Sequence, residues 1–214
     1  MQNTAAFWDK VAPKYAKSPI ADMDAYTRTM DRTRRYLSAS DTVLEVGCGT
    51  GSTSLLLAGH VHNITASDLS SSMVQIGSEK ARAQGISNVK FVTAALSDLP
   101  IEDGPYDAIL AFNVLHLVED TPEAIRRING LLKPGGIFIS KTICRPQPGS
   151  APPLKFRILK MALPLMQLVG MAPPVTFMKI NELDDLISSE GFEIVETDNL
   201  PASPPSRFIV ARKV

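Results

Sequence analysis

Three glycines at every second position form the strongest chemical pattern in the sequence. Residues 43–46 are typical of a buried strand, and Gly47, Gly49 and Gly51 follow directly. Because glycine has no Cβ, such a turn can be tight and can let a ligand approach its backbone closely, as nucleotide-like cofactors do. Cys48 lies inside the turn and is interpreted as a small buried side chain rather than a reactive thiol. The pattern predicts a cofactor site at the end of this strand.

The acidic residues near the turn favour a cationic nucleoside over a dinucleotide. Glu45 fits poorly beside a pyrophosphate and better beside an ammonium or sulfonium group. The dinucleotide fingerprint also needs a third glycine at the position of Ser52. Asp68 lies 17 positions after Gly51, at the end of the next predicted strand, where a carboxylate can accept hydrogen bonds from both ribose hydroxyls. The alternative is that Asp68 only caps the helix that begins near Ser71.

Three other residues are candidates for contact with the ligands. Leu69 and Met73 could flank an adenine ring or belong to the core. His116 follows the fourth predicted strand and could act as a base, although packing is the favoured alternative. No spacing of His, Cys, Asp and Glu suggests a metal site, so no metal is predicted.

Short β-branched segments alternate with helical patterns from residue 42 onward, which predicts a parallel sheet wrapped by helices. The predicted strands are 42–46, 63–67, 89–93, 106–112, 136–142, 192–197 and 207–211. The predicted helices are 4–11, 22–37, 52–59, 71–83, 122–132 and 182–190, with Thr121 and Asn181 as caps of the last two. The connection between the last two strands is too short for a helix, so these strands should pair antiparallel.

Composition limits the partners and the compartment. The chain has 22 Lys and Arg against 22 Asp and Glu, so it has no overall field that would hold a nucleic acid. Cys48 and Cys144 are too few for a disulfide framework, and the first ten residues lack a signal-peptide pattern, so a cytoplasmic location is expected. Prolines and a glycine interrupt the apolar stretch 161–178, which argues against a transmembrane helix.

Six segments, in this order and spacing, give nearly the whole chain a family resemblance. They are FWDKVAPKY (7–15), VLEVGCGTG (43–51), DLSSSM (68–73), DLP (98–100), NVLH (113–116) and LLKPGG (131–136). The chain resembles the class I S-adenosylmethionine-dependent methyltransferases, especially the branch of the ubiquinone and menaquinone biosynthesis methyltransferases. The resemblance implies S-adenosylmethionine as cofactor, S-adenosylhomocysteine as product, and an α/β Rossmann-like fold. In that fold, a seven-stranded, mainly parallel sheet with its last strand antiparallel has helices on both faces.

The resemblance also implies roles for the residues around the glycine turn. Gly47 and the neighbouring turn atoms would hold the methionine part of the cofactor. Asp68 would hold the ribose, and Leu69 and Met73 would cover the two faces of the adenine ring.

Other roles implied by the resemblance lie further along the chain. Asn113 would face the amino end of the cofactor through its backbone, and Tyr15 would contact the cofactor carboxylate. Relatives often have an Asp at the position of Ala95, which accepts from the adenine amino group. Its absence leaves this recognition to backbone groups of Ala95 and Leu96, or to the hydroxyl of Ser97.

We expect residues 1–214 to form a single domain with four parts. These are an N-terminal helical lid (1–40), a cofactor-binding core (41–144), a substrate-cap insert (145–179) and a C-terminal helix with a strand pair (180–214). Because the insert is rich in apolar residues, we expect it to cover the methyl group and select a small, hydrophobic or amphiphilic acceptor. Packing of its side chains on the N-terminal helices is the alternative.

Two other functions remain open at this point. Lys155, Arg157 and Lys160 lie at the start of the apolar segment, so the insert could instead dock on an anionic membrane to reach a lipid or quinone. A protein that binds the cofactor without catalysis is an alternative of a different class.

Overall fold

A mainly parallel sheet forms the centre of the structure, a computed structural model that describes residues 2–99, 106–146, 154–168 and 170–214. The strands are β1 (Thr42–Val46), β2 (Asn63–Asp68), β3 (Val89–Thr93), β4 (Tyr106–Phe112), β5 (Leu132–Ile143), β6 (Phe192–Ala202) and β7 (Pro205–Lys213). Their order in the sheet is β3-β2-β1-β4-β5-β7-β6. β7 runs antiparallel to β5 and β6, whereas β1 to β5 pair in parallel. The predicted seven-stranded sheet with an antiparallel last strand is confirmed.

Helices cover both faces of this sheet. They are α1 (Gln2–Lys17), α2 (Met23–Arg34), α3 (Ser52–Leu57), α4 (Ser71–Ala83), α5 (Thr121–Leu131), α6 (Leu154–Leu168) and α7 (Ile180–Ser189). Val43 and Leu44 are both fully buried but belong to different apolar clusters, because successive side chains of a strand point to opposite faces. One cluster contains residues of α5 and α7, and the other contains residues of α3 and α4. The predicted α/β Rossmann-like architecture is confirmed.

Several boundaries differ from the predicted ones, and two of the differences arise because another residue caps the helix. The N-cap of α5 is Asp120 rather than Thr121, since its carboxylate accepts from the backbone N–H of Glu123 at 2.9 Å. Lys179 rather than Asn181 is the N-cap of α7, and the Glu182 carboxylate accepts from its backbone N–H. The strands β5, β6 and β7 are longer than predicted, and α1 continues to Lys17 rather than ending near residue 11.

The register of the sheet brings the ends of two central strands together. Val46 of β1 pairs with Ser67 of β2, so Gly47 and Asp68 are neighbours at the same edge. β1 lies between β2 and β4. From β1 the chain continues outward through β2 and β3 on one side, and then returns to β4 on the other side, so the strand order reverses at β1. Doubly wound sheets bind their ligands in the crevice that this reversal opens.

Two features are missing from the residues that the structure describes. No helix among them has the length and the apolar character that would let it cross a lipid bilayer. The same part of the chain contains no group of three or more His, Cys, Asp or Glu side chains arranged to hold a metal ion.

The packing of Phe91 predicts an unusually costly glycine substitution. A Cβ added at Gly77 of α4 would overlap the Phe91 ring, which also lies against Gly51. We expect Gly77→Ala to lower the free energy of unfolding by about 1–3 kcal/mol, the usual range for overpacking, as measured by urea denaturation. Gly130→Ala in α5 is the matched control, because a Cβ there would meet open space. If both variants gained stability, the described packing of Phe91 would be wrong.

Candidate active site

A cavity of about 850 Å³ opens at the carboxyl ends of β1, β2 and β4. Most of the residues predicted to bind a cofactor line it. These are Tyr15, Glu45, Gly47, Cys48, Gly49, Asp68, Leu69, Met73, Ala95, Leu96 and Asn113. The structure therefore brings residues from five separate segments of the sequence to one place.

The glycine turn forms the floor of the cavity with left-handed backbone conformations. The φ angles of Gly47, Gly49 and Gly51 are 65°, 54° and 73°, which side chains with a Cβ adopt only at a cost. A Cβ at Gly47 would lie 2.5 Å from Val114 Cγ2. Gly51 is not among the residues that line the cavity, and a Cβ there would overlap the Phe91 ring. Gly51 thus serves the packing beneath the turn.

Asp68 connects the glycine turn to the start of α4. One carboxylate oxygen accepts from the backbone N–H of Gly49 at 2.9 Å, and the other accepts from Ser70 N–H at 2.9 Å. The alternative that Asp68 caps this helix is wrong, because the N-cap is Ser70, whose hydroxyl accepts from Met73 N–H. Burial raises the pKa of Asp68. Each carboxylate oxygen still has a lone pair for a second donor.

Glu45 places a second acidic side chain on the same cavity. It is almost completely buried, and the Ser54 hydroxyl donates a hydrogen bond to it. Burial raises the pKa of Glu45 to about 7, and the nearby charge of Asp68 contributes in the same direction. Burial likewise raises the pKa of the Cys48 thiol, which makes this cysteine a poor nucleophile. Two buried carboxylates favour a positively charged ligand at this end of the cavity.

An aspartate that sequence reasoning did not single out holds α1 over the cavity. The Asp9 carboxylate accepts from the Ser70 hydroxyl at 2.6 Å and from the Ser72 backbone N–H at 2.9 Å. These hydrogen bonds lower the pKa of Asp9. With α1 fixed in this way, Trp8 and Tyr15 line the cavity, and their ring centroids are 6.4 Å apart. The only sequence signal for Asp9 is its position between Trp8 and Tyr15 in the segment 7–15.

A second, more apolar part of the wall lies beyond these residues. Pro19, Ile20 and Ala21, which connect α1 to α2, contribute to it from one side. Val114 and Leu117, which follow β4, contribute from the other side. Sequence reasoning missed the connection, because it contains neither a motif nor a periodic pattern.

The loop after β3 and helix α5 meet at another part of the wall. Ala95 and Leu96 line the cavity there, and the Ser97 hydroxyl donates to Asp98 at 2.8 Å. Arg127 of α5 lines the same cavity and donates from Nη2 to the Leu99 carbonyl at 2.6 Å. The buried Nε of Arg127 has no hydrogen-bond partner in the part of the chain that the structure describes. Arg127 is thus a polar group that sequence reasoning missed.

Asn113 lies at the end of β4 in an unusual backbone conformation. It is the one non-glycine residue with a positive φ, 55°, among the described residues. Its backbone N–H donates to the Lys141 carbonyl at 2.7 Å. Of its two backbone polar groups, the carbonyl is therefore the one that remains for a ligand. Asparagine adopts this conformation more readily than most residues.

The structure does not bring His116 to the cavity. Its ring stacks on Phe177, with centroids 6.4 Å apart and planes 7° apart, and its Nδ1 is buried without a hydrogen-bond partner among the described residues. Burial lowers the pKa of His116 to about 4. The candidate base is therefore a neutral side chain that packs beneath the insert.

The expectation that the insert covers the cavity is not met by its described part. None of the residues 154–168 and 170–179 lines the cavity. The inner side of α6 packs through Phe156, whose ring lies 6.1 Å from that of Phe177, while Met161 is 84% exposed. The cover comes instead from α1 and the connection that follows it.

Sequence comparisons give relatives for this arrangement. A family model described as a methyltransferase domain matches residues 43–136. The chain is 31% identical over 175 residues to the ubiquinone/menaquinone biosynthesis C-methyltransferase UbiE of Klebsiella pneumoniae, which covers 75% of this chain and 70% of that protein. It is 31% identical over 101 residues to the uncharacterized methyltransferase YcgJ of Bacillus subtilis, and this match spans 47% of this chain and only 40% of that protein.

Solved structures share the fold over most of the chain. The 4+2 cyclase SpnF aligns with a TM-score of 0.77 and 21% identity, covering 98% of this chain and 94% of that one. Magnesium protoporphyrin IX methyltransferase of Synechocystis, with bound S-adenosylhomocysteine, aligns with a TM-score of 0.73 and 19% identity, covering 100% of this chain and 99% of that one. Geranyl diphosphate C-methyltransferase of Streptomyces coelicolor aligns with a TM-score of 0.72 and 14% identity, covering 88% of this chain and 77% of that one. These identities establish a common fold.

The family follows from the sequence match together with the fold. The Klebsiella pneumoniae relative aligns over most of its own length, and the methyltransferase-domain model includes the glycine turn and Asp68. The chain belongs to the class I S-adenosylmethionine-dependent methyltransferases.

Proposed function

We propose that this protein transfers a methyl group from S-adenosylmethionine to a small, hydrophobic or amphiphilic acceptor. One observation supports the proposal above the others: a single cavity of about 850 Å³ joins the acidic, glycine-backed part of the site to the apolar wall beneath α1. A cofactor and a second small molecule can occupy such a volume together. The acidic part suits the cationic cofactor, and the apolar part suits its acceptor.

The residues present fit S-adenosylmethionine. The missing Cβ of Gly49, which would have only Tyr15 Cε1 within 4 Å, leaves the turn open to a ligand. Asp68 would accept from ribose hydroxyls, and Glu45 would attract the ammonium and sulfonium charges. The Asn113 carbonyl would accept from the ammonium group, and Tyr15 would contact the carboxylate.

The adenine end is recognised in this proposal without an acidic side chain. Leu69 and Met73 would cover the faces of the ring, and both line the cavity. Backbone groups of Ala95 and Leu96 would take the place of the Asp that relatives have at position 95. Arg127 also lines this part of the cavity, so its guanidinium would border the adenine end.

The chain contributes to the reaction mainly by positioning. When bound, S-adenosylmethionine supplies an electrophilic methyl group, to which an electron pair of the acceptor bonds as the carbon–sulfur bond breaks and sulfur keeps its electrons. Trp8 and Tyr15 on α1 would exclude water from the reacting atoms. Ile20 and Leu117 would hold the acceptor close to the methyl group, and such proximity can supply most of the rate enhancement. The mechanism needs no base from His116.

The four segments of the domain would then have separate tasks. Residues 1–40 close the cavity as a lid through Asp9, and residues 41–144 hold the cofactor. Residues 180–214 complete the sheet next to β5. The insert 145–179 would act at the approach to the site instead of as its cover.

The acceptor class has support from relatives as well as from the wall. Two of the similar proteins are C-methyltransferases, one named for ubiquinone and menaquinone biosynthesis and one for geranyl diphosphate. Quinones and geranyl groups are both apolar, in accord with Ile20 and Leu117 in the wall. A lipid- or quinone-directed enzyme at a membrane surface is therefore the more specific form of the proposal.

Asp68 tests the cofactor site. We expect Asp68→Ala to weaken binding of S-adenosylhomocysteine by more than about 1.5 kcal/mol, because two hydrogen bonds to a carboxylate are lost together. Calorimetry measures the affinity, and thermal unfolding without ligand reports any loosening of the turn. Asp98→Ala is the matched control, since this exposed carboxylate is close in sequence to Ala95 and Leu96 but does not line the cavity. Unchanged affinity in Asp68→Ala would remove Asp68 from the site.

Glu45 predicts how binding depends on pH. Its pKa of about 7 in the free protein means that a cationic ligand must first displace a proton at lower pH. We expect the affinity for S-adenosylmethionine, whose sulfonium and ammonium groups are both cationic, to rise about tenfold from about pH 5.5 to about pH 7. Stability of the free protein should fall over the same window, because the folded-state pKa lies above the unfolded value. Glu45→Gln should weaken both dependences, and the raised pKa of Asp68 should account for what remains; a wild-type profile in this variant would contradict the assignment.

The acceptor half is tested by turnover. Formation of S-adenosylhomocysteine should be detected with apolar acceptors such as demethylmenaquinol and not with small polar phenols. Ile20→Asp should raise the acceptor KM at least about tenfold, since a charge replaces an apolar contact, while cofactor affinity is unchanged. Met23→Asp is the control, because Met23 is exposed nearby but does not line the cavity. Binding of S-adenosylhomocysteine without turnover of any acceptor would favour a non-catalytic binding protein.

A further inference from the structure

The outer side of α6 presents a row of exposed apolar side chains. Leu154, Ile158, Met161, Leu165 and Leu168 follow each other at intervals of four and three residues, so they lie on one side of the helix. Their exposed fractions are 67%, 58%, 84%, 66% and 82%. Scattered exposed leucines are ordinary, whereas a continuous apolar row marks a surface that contacts something apolar. We call these five residues the α6 row.

The opposite side of α6 packs on the segment 170–179 that follows it in the insert. The Phe156 ring packs against Phe177 with centroids 6.1 Å apart, and Gln167 donates to the Pro173 carbonyl at 3.0 Å. Arg145 holds the same strip of chain, because its Nε donates to the Phe177 carbonyl at 2.5 Å. The orientation of the helix is thus set by its inner contacts, which leave the α6 row pointing outward.

The insert that contains the α6 row has basic residues and no acidic ones. The whole chain is neutral, with 22 cations and 22 anions, yet the insert 145–179 contains five cations and no Asp or Glu. The cations are Arg145, Lys155, Arg157, Lys160 and Lys179. Arg157 is exposed and is the neighbour of Ile158 in the row. An apolar helix face bordered by basic residues is the composition of helices that lie in the surface of anionic membranes.

Pairing of two copies through this face is a poorer fit. The α6 row spans only about two heptads, and sustained coiled coils need about three or four. Two copies would also bring their basic insert residues together without acidic partners from that segment. A negatively charged lipid surface removes both difficulties, because it is continuous and of opposite charge.

The α6 row lies close to the acceptor side of the cavity. Phe156 contacts Phe177, and Phe177 stacks on His116. The residue after His116 is Leu117, which lines the cavity. A surface bound by α6 would therefore be separated from the acceptor wall by a short stack of rings.

We propose that α6 docks this protein on anionic lipid membranes, with the α6 row inserted at the level of the upper acyl chains and Arg157 at the lipid phosphates. Docking would let an apolar acceptor pass from the bilayer to the cavity, a consequence that rests on the proposed methyl transfer. The binding itself does not depend on that reaction. It can therefore be tested without an acceptor.

Vesicle flotation tests the proposal. The protein should float with vesicles of phosphatidylglycerol and phosphatidylcholine, bind less at high salt, and bind weakly to phosphatidylcholine alone. Met161→Asp should reduce the partition coefficient by more than about tenfold, since it removes an inserted apolar side chain and adds a repelled charge. Val195→Asp in β6 is the matched control, because Val195 is an exposed apolar residue of another element. Circular dichroism and calorimetry with S-adenosylhomocysteine should show both variants folded and competent to bind.

Specific outcomes would overturn the docking proposal. Equal flotation of Met161→Asp and Val195→Asp would show that the α6 row is not the contact. A wild-type dimer that Met161→Asp dissociates in analytical ultracentrifugation, with no vesicle binding, would make this face a self-interface. The supporting result is different: Met161→Asp should no longer float with the vesicles but should turn over a soluble apolar acceptor normally. Wild-type flotation without any turnover would instead refute the proposed methyl transfer and leave docking in place.

Discussion

The hydrogen bonds to the Asp68 carboxylate organise the site. A carboxylate with two oxygens can fix two chain segments at once, and Asp68 accepts from Gly49 in the turn and from Ser70 before α4. Ser70 in turn donates its hydroxyl to Asp9, so α1 depends on the same corner. The floor of the cavity, the start of α4 and the cover therefore share one anchoring point. A change at Asp68 would be felt by all three.

This corner also concentrates negative charge where water is scarce. Burial raises the pKa of both Glu45 and Asp68, which shows that their charged forms are costly in the free protein. Asp9 differs, because its hydrogen bonds to Ser70 and Ser72 lower its pKa. A cationic ligand would relieve the cost at Glu45 and Asp68 while leaving the latch at Asp9 unchanged. The electrostatics thus favour binding of a cation under a cover that is already in place.

Much of the fold and part of the site could be predicted from local sequence. The turn at Gly47 and the register that sets Asp68 beside it follow from short strands and their order. The contact of Asp9 with Ser70, 61 positions away, has no local signal, and neither does the approach of Arg127 to the loop after β3. The sequence leaves the role of His116 open, because a shift of one position after a strand changes whether a side chain faces the cavity or the core. Such choices depend on tertiary packing.

The insert 145–179 shows a different limit of prediction from sequence. Its apolar residues predict burial, but periodicity only places Met161 and Leu165 on one side of a helix and does not say what covers that side. In the structure, Phe156 on the inner side packs against Phe177, whereas Met161 is 84% exposed. The cavity is already covered by α1, which Asp9 attaches to the start of α4, and the α6 row is exposed. The α6 row is exposed and belongs to a segment without acidic residues. These two properties match a partner with an apolar interior and a negatively charged surface, as an anionic membrane has.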